Sequence, residues 1–285
     1  MTKSKNLLKS DPSRTITLRN KAVREVNRRY SKISQLITKS VAKNKIFVNI
    51  EPLDKSDFVF IRDPQKLAAF DAWLHSAISE IVLSGGVVPG AADLNWLLVY
   101  FEESYSRGVR RTNNNMARLL GRNVVPVRSR AFDTPFHIQK LEFLFSRDFA
   151  QLKGITETMS QQITKELSDS LLKGESPLKA AKKMNDRVDK IGKTRSKLLA
   201  RTEIINTHNL GSIYEGEDLE ALIGEEVVYF WDAAEDSRVR REHNFRDEKY
   251  YSRGKVATLI GEPNCRCAVT GVPISMVPEG VEVIR

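Results

Sequence analysis

The chain has 285 residues, 41% of them apolar and 29% charged, and a formal net charge of +10. That length supplies core for one large or two ordinary domains. The composition reads as soluble and globular, and the start "MTKSKNLLKSDPSR" has too short an apolar run for a signal peptide. No 18-residue apolar stretch would span a membrane, and two cysteines are too few for a secreted disulfide framework.

The charge excess sits at one end. Residues 1–45 hold thirteen Lys and Arg against Asp11 and Glu25, while the remaining 240 residues carry 33 basic and 34 acidic groups. A basic segment joined to a neutral body suits contact with a polyanion, because each phosphate neutralised releases a counterion. The expected DNA-binding residues of this arm are Arg14, Arg19, Lys21, Arg24, Arg28, Arg29 and Lys32. Leu18, Ala22, Val26, Tyr30, Ile33 and Ile37 recur at helical spacing in the same stretch, which predicts an amphipathic helix with a basic opposite face.

A second helix is predicted over Pro64–Leu83, with Phe70, Trp73, Leu74, Ala77, Ile78 and Ile81 as its apolar stripe. A third runs from about residue 92 to Gly121 with an interruption near Gly108, and Arg118 to Arg130 reads as a basic loop. From Pro135 a long helix reaches Lys173, with Ile155, Met159, Ile163, Leu167 and Leu171 at four-residue spacing, and Gly174 stops it. Ser176 as N-cap and Pro177 at the first position restart a helix that buries Leu178, Ala181, Met184 and Val188. One more helix covers residues 194–217. The period then changes: "VVYFW" is a strand, and short apolar runs recur at "KVATLI", "CAVTGV" and "GVEVI". The fold class is α+β, a mainly helical N-terminal and central body with a small C-terminal α+β domain. The divisions fall at 1–60 (basic arm), 61–195 (helical body) and 196–285 (C-terminal domain).

Three stretches of the C-terminal part carry chemistry. Leu199, Glu203, Asn206 and Leu210 share one helix face, so Glu203 and Asn206 form a buried polar pair facing the strands, either structural or chemical; Arg201 points elsewhere. In "FWDAAEDSRVRREHNF", acids and bases surround His243, as in a hydrolytic metal site or in a charged turn. No general base or second metal carboxylate stands at a recognisable spacing, so the chain reads as non-enzymatic. Finally, Cys265 and Cys267 in "GEPNCRCAV" lie about 6.6 Å apart from Cα to Cα if extended, near the limit for a disulfide, and are expected to stay reduced. With His243 they supply three zinc-type ligands, and Asp236 or His208 is the candidate fourth. The alternatives are a possible structural zinc or no cofactor, with the cysteines as packing only. His75 and His137 read as ordinary surface or core histidines.

The order "ARTEIINTHNLG", "FWDAAEDSRVRREH", "GEPNCRCAV" resembles the C-terminal domain of Mu F-like phage head morphogenesis proteins, also called minor head or minor capsid proteins. "DPSRTITLRN" and the basic helix resemble the start of the same proteins, so the resemblance extends over nearly the whole chain. The family pattern falls on Arg201, Thr202, Glu203 and Asn206, on Trp231, on Asp236 and Arg238, and on Pro263, Cys265, Arg266 and Cys267. Many relatives have a Cys-x-x-Cys pair where this chain has Arg240 and His243. The resemblance implies a non-enzymatic component of the bacteriophage virion, assembled in the host cytoplasm and located inside the capsid near the portal. There it would contact portal protein, capsid or scaffolding protein and packaged double-stranded DNA, with no membrane partner. The competing readings are a metal-dependent DNA-processing enzyme and a plain non-specific DNA-binding protein.

Overall fold

The computed structural model describes residues 11–50, 59–60, 63–83, 96–126 and 134–285. The fold is α+β: long helices, and one mixed four-stranded sheet near the C-terminus. In chain order the elements are α1 (Ile16–Ile37), β1 (Val48–Ile50), β2 (Val59–Phe60), α2 (Pro64–Ile78), α3 (Leu98–Leu120), α4 (Pro135–Leu172) and α5 (Pro177–Arg187). They continue with α6 (Thr194–Ile223), β3 (Val227–Asp232), α7 (Arg241–Arg246), β4 (Tyr250–Tyr251), α8 (Arg253–Leu259), β5 (Ala268–Pro273) and β6 (Val283–Ile284). No described helix is long and apolar enough to cross a membrane.

The residues pack as two compact units that interleave in sequence. One takes the described residues of Met1–Ala22, Leu97–Asp148 and Ala200–Arg285, and the other those of Val23–Trp96 and Phe149–Leu199. Three of their four boundaries fall inside α1, α4 and α6, and the fourth falls just ahead of α3.

In the second unit, α1 is a packed helix and not a free arm. Its apolar positions Val26, Tyr30, Ile33 and Ile37 are buried, and the Tyr30 hydroxyl shares a 2.6 Å hydrogen bond with Ser196. α2 starts on Asp63, whose carboxylate accepts the Gln65 N–H, with Pro64 at the first position. Phe70, Leu74 and Ile78 form its buried line. Trp73 lies at the edge of that line and is 39% exposed. Beyond Ile78 a π-helical turn (Ser79–Leu83) inserts an extra residue per turn, so Val82, not Ile81, continues the stripe into the core. π turns also extend α1 (Thr38–Lys43) and α5 (Val188–Lys193). α5 carries the Ser176 cap, accepting from Lys179 N, and buries Ala180, Ala181 and Met184. Leu178 points the other way and is 71% exposed.

In the first unit, α3 runs unbroken through Gly108. This glycine is a close approach: a Cβ there would stand 1.9 Å from the His208 carbonyl oxygen, and one on Gly211 would stand 2.4 Å from the Tyr105 carbonyl oxygen. Ser212 Oγ donates to the Gly108 carbonyl at 3.0 Å, so α3 and α6 touch backbone to backbone. Arg118 belongs to α3, and residues 127–130 of the expected basic loop lie outside the described residues.

The sheet order is β5-β3-β4-β6, antiparallel except for the β4/β6 pair. One face (Tyr229, Trp231, Tyr251, Val269) packs in a core with Ile213 and Leu219 of α6 and Met116 of α3. The outer edge of β5 is covered by side chains instead of a strand. Asn209 donates to the Cys267 carbonyl and accepts from Val269 N, Thr112 accepts from Gly271 N, and Asn115 donates to the Gly271 carbonyl. "KVATLI" is helical in α8, because Ser252 caps it and only Val256 is buried. Residues 262–267 form a turn with Asn264 at φ +56°, not a strand.

Candidate functional site

The three motif stretches meet in the first unit. α6 is buried at every position from Thr202 to Asn209, and six of those eight residues are polar. Buried polar groups need partners, and here the partners bind the motifs together. Thr202 Oγ1 accepts the Asn264 N–H at 3.1 Å, joining α6 to the cysteine loop. Asn206 Nδ2 donates to Glu203 Oε2 at 3.1 Å, so the expected polar pair forms. It does not face the strands, however. Glu203 receives Arg147 of α4, and Asn206 lies against the turn at Gly261. The residue that ties α6 to the sheet is Asn209, one turn further on. Arg201 is exposed.

Arg147 also donates to Asp148 Oδ1 at 2.8 Å. Burial, followed by the charge of Glu203, pushes the Asp148 carboxyl up to about 7. Neither Arg147 nor Asp148 carries a sequence signal, since each is an ordinary charge on a long helix.

Asp236, Arg238 and Arg266 come together as a clamp. Arg266 grips both Asp236 oxygens, Nη2 at 2.6 Å from Oδ1, and Arg238 adds its backbone N–H at 3.0 Å. Arg266 foremost holds the Asp236 carboxyl well below the usual carboxylate range. The clamp fixes the turn after β3 to the cysteine loop. Pro263 is exposed, and its carbonyl accepts from Arg240.

Behind the clamp, Trp231 is fully buried, with His243 at 6.2 Å and Tyr251 at 6.0 Å between ring centroids. His243 Nδ1 lies 3.2 Å from Cys267 Sγ and 3.4 Å from Cys265 Sγ. Its Nε2 lies 2.8 Å from Glu262 Oε2. Both cysteines are free thiols in the core of the sheet. Cys265 is lowered to about 5, first by the hydrogen bond from Cys267 and then by His243, while its partner Cys267 is raised. His243 is raised, chiefly by Cys265. The cluster thus favours the thiolate of Cys265, held by hydrogen bonds from Cys267 and His243.

This donor set fits a single zinc ion. The two sulfurs and a nitrogen of His243 lie within 4.8 Å of one another, around a cavity of about 30 Å³. The carboxylate on the second imidazole nitrogen is the usual support of a metal-bound histidine. Neither expected fourth ligand joins them. Asp236 is held by Arg266, and His208 is buried in α6 beside Asn209, where desolvation lowers it to about 3. Arg240 instead donates to Glu262 at 2.7 Å. Glu262 is the site residue that sequence reasoning missed, because only folding brings it against His243. His75 is exposed. His137 is a core histidine between the Tyr105 hydroxyl (2.7 Å) and Glu215 (3.0 Å).

Of the seven expected DNA-binding residues, two point inward. Arg19 pairs with Asp11, and Arg29 bonds Glu25 and the Ile81 carbonyl under Trp96. Burial removes both from any phosphate contact. Lys21, Arg24, Arg28 and Lys32 are exposed on one side of α1, and Arg14 is exposed ahead of it.

The clamp, the Asn206 turn and the cysteine loop assemble the motif residues of the C-terminal part into one structure. Residues 161–270 match the family model described as Phage Mu protein F like protein. This chain therefore carries a Mu F-like segment, and that match supports a bacteriophage protein of the head-morphogenesis kind in general. All the motif positions from Arg201 to Cys267 lie within the Mu F-like segment, whereas "DPSRTITLRN" lies outside it. No curated protein and no solved structure matches the chain.

Proposed function

We propose that this protein is a non-enzymatic minor head component, held inside the capsid near the portal, where it contacts portal protein, capsid or scaffolding protein and packaged DNA. The observation that carries the DNA contact is the exposed side of α1. Lys21, Arg24, Arg28 and Lys32 follow one another at three- and four-residue spacing, opposite a buried apolar face. Such a row meets phosphates without reading bases. Replacing Arg24, Arg28 and Lys32 by glutamine is expected to weaken duplex DNA binding at least tenfold. The dependence of log affinity on log salt should become shallower by about 2.7, at about 0.9 per phosphate contact. An unchanged slope overturns the DNA contact. Co-sedimentation with portal assemblies tests the placement, and a protein spread evenly over the shell refutes it.

The cysteine cluster supports a structural role for metal in the same reading. One zinc on His243, Cys265 and Cys267 would pin the turn after β3 to the 262–267 loop, with Glu262 orienting the histidine. Protein purified without chelator should then contain close to one zinc per chain, and Cys265→Ser should lose it. A content below ~0.2 per chain identifies the cysteines as packing alone.

A further inference from the structure

We propose that a groove in the first unit, separate from α1's basic row, binds a single strand of nucleic acid. The groove has a volume of about 880 Å³ and runs between α3 and the face of the sheet turned away from the α6 core. Its wall is arginine: Arg107, Arg110, Arg111 and Arg118 project from one side of α3, and Arg14 joins them at the rim. The lining contains five arginines and a single acid, Asp232. Its floor is a row across three strands, Thr270 of β5, Phe230 of β3 and Tyr250 of β4, which the register sets side by side. Phe230 and Tyr250 stand edge to face at 5.3 Å and are half-buried, so part of each ring faces the groove.

The arginines divide into two kinds. Arg111 is a brace: it donates to Asp232 at 2.8 Å, to Thr270 and to the Pro12 carbonyl, locking α3 to the sheet. Arg107 similarly bonds Glu103 and the Arg14 carbonyl. Among the described residues Arg110 has only a loose 3.8 Å contact with Glu103, and Arg118 is exposed with a bond to Asn115 on its own helix. The braces fix the wall, and Arg110 and Arg118 face what enters.

Cationic wall and aromatic floor together select the ligand. An acidic peptide would satisfy the arginines but has no use for two ring faces. A strand of nucleic acid uses both, with phosphates on the guanidiniums and bases on the rings, an arrangement tolerant of sequence. A duplex keeps its bases stacked inside and offers nothing to Phe230 and Tyr250. The inference does not rest on the placement in the head.

Binding of a labelled oligothymidylate about eight nucleotides long, read by anisotropy on the full chain, tests it. The double variant Arg110→Glu/Arg118→Glu should lose at least tenfold in affinity, and Tyr250→Leu, which keeps bulk but not the ring, three- to tenfold. Introduced into the triple glutamine variant of α1, the double replacement should still cost at least tenfold, which separates the groove from that row. Thermal melting should confirm that all three variants fold, since none of the replaced groups braces the unit. Parental affinity in the double variant overturns the proposal. So does an unchanged affinity in Tyr250→Leu together with equal competition by polyglutamate, which would make the groove a plain charge surface.

Discussion

Gly108→Ala is expected to lower the melting temperature by about 10 °C. In an isolated helix the change would stabilise, because alanine is better than glycine by about 0.8–1 kcal/mol in a helix interior. Here the new methyl carbon would stand 1.9 Å from the His208 carbonyl oxygen and 2.9 Å from Ser212 N, both backbone atoms that no rotamer change can move aside. α3 and α6 must separate, which loosens the Ser212–Gly108 bond and the sheet edge beyond it. Overpacking costs typically 1–3 kcal/mol and more where backbone is displaced, so about 3–4 kcal/mol net is expected. That corresponds to about 2–4 °C per kcal/mol for a protein near this size. Gly154→Ala is the matched control: it lies on α4 with nothing within 4 Å of its Cβ position, and should hold or raise stability. A Gly108→Ala protein that melts with the parent would show that the helices do not touch at this point.

The second large effect is in the pH dependence. Asp148 is fully buried, with one oxygen on Arg147 and the other without a partner among the described residues. Its pKa is raised to about 7 in the folded protein from 3.8. The folded state therefore holds this proton more tightly than the unfolded chain. The resulting stability is fully present below about pH 4 and is lost as pH rises to 7, the reverse of an ion-paired carboxylate. Three pH units correspond to ~4 kcal/mol at most, and the part-exposed Arg147 screens some of it, leaving about 2–3 kcal/mol. Asp148→Asn should melt higher than the parent at pH 8 and show a shallower decline between pH 4 and 7. Equal pH profiles for the two proteins would mean that Asp148 stays ionised.

Periodic helices were legible in the letters, because a stripe such as Met159, Ile163 and Leu167 needs only its own spacing to announce itself. β3 and β5 were legible for the same reason, as was the Ser176 cap. What escaped depends on partners distant in sequence. Gly108 reads as a helix breaker until α6 is placed against it, about a hundred residues later. "KVATLI" has a strand's apolar letters, and the Ser252 cap outweighs them. The basic helix was visible, but which arginines turn inward was not: Arg29 is fixed by the Ile81 carbonyl, 52 residues away. In the site, the fold brings Cys265, Cys267 and His243 together as their residue types suggest, while Glu262 and the Asp236–Arg266 clamp emerge only from the fold. Glu203 and Asn206 were correctly paired but assigned to the wrong neighbour, since helical periodicity gives a shared face and not what lies opposite it.

The side-chain cover on β5 has a consequence for how the chain is made. Thr112, Asn115 and Asn209 reach the ladder groups of a strand synthesised well after them, with 159 residues separating Thr112 from Gly271. A ribosome must deliver the chain through β5 before these bonds can close. Until then Thr112 and Asn115 of α3 and Asn209 of α6 lack these partners, and long loops must be closed before any contact rewards them. The first unit is thus completed last although its first residues emerge early. A fragment beginning near residue 196 would lack α3 altogether and leave Gly271 as an open template for another chain's strand. Delivery of β5 and safety from aggregation are, for this protein, the same event.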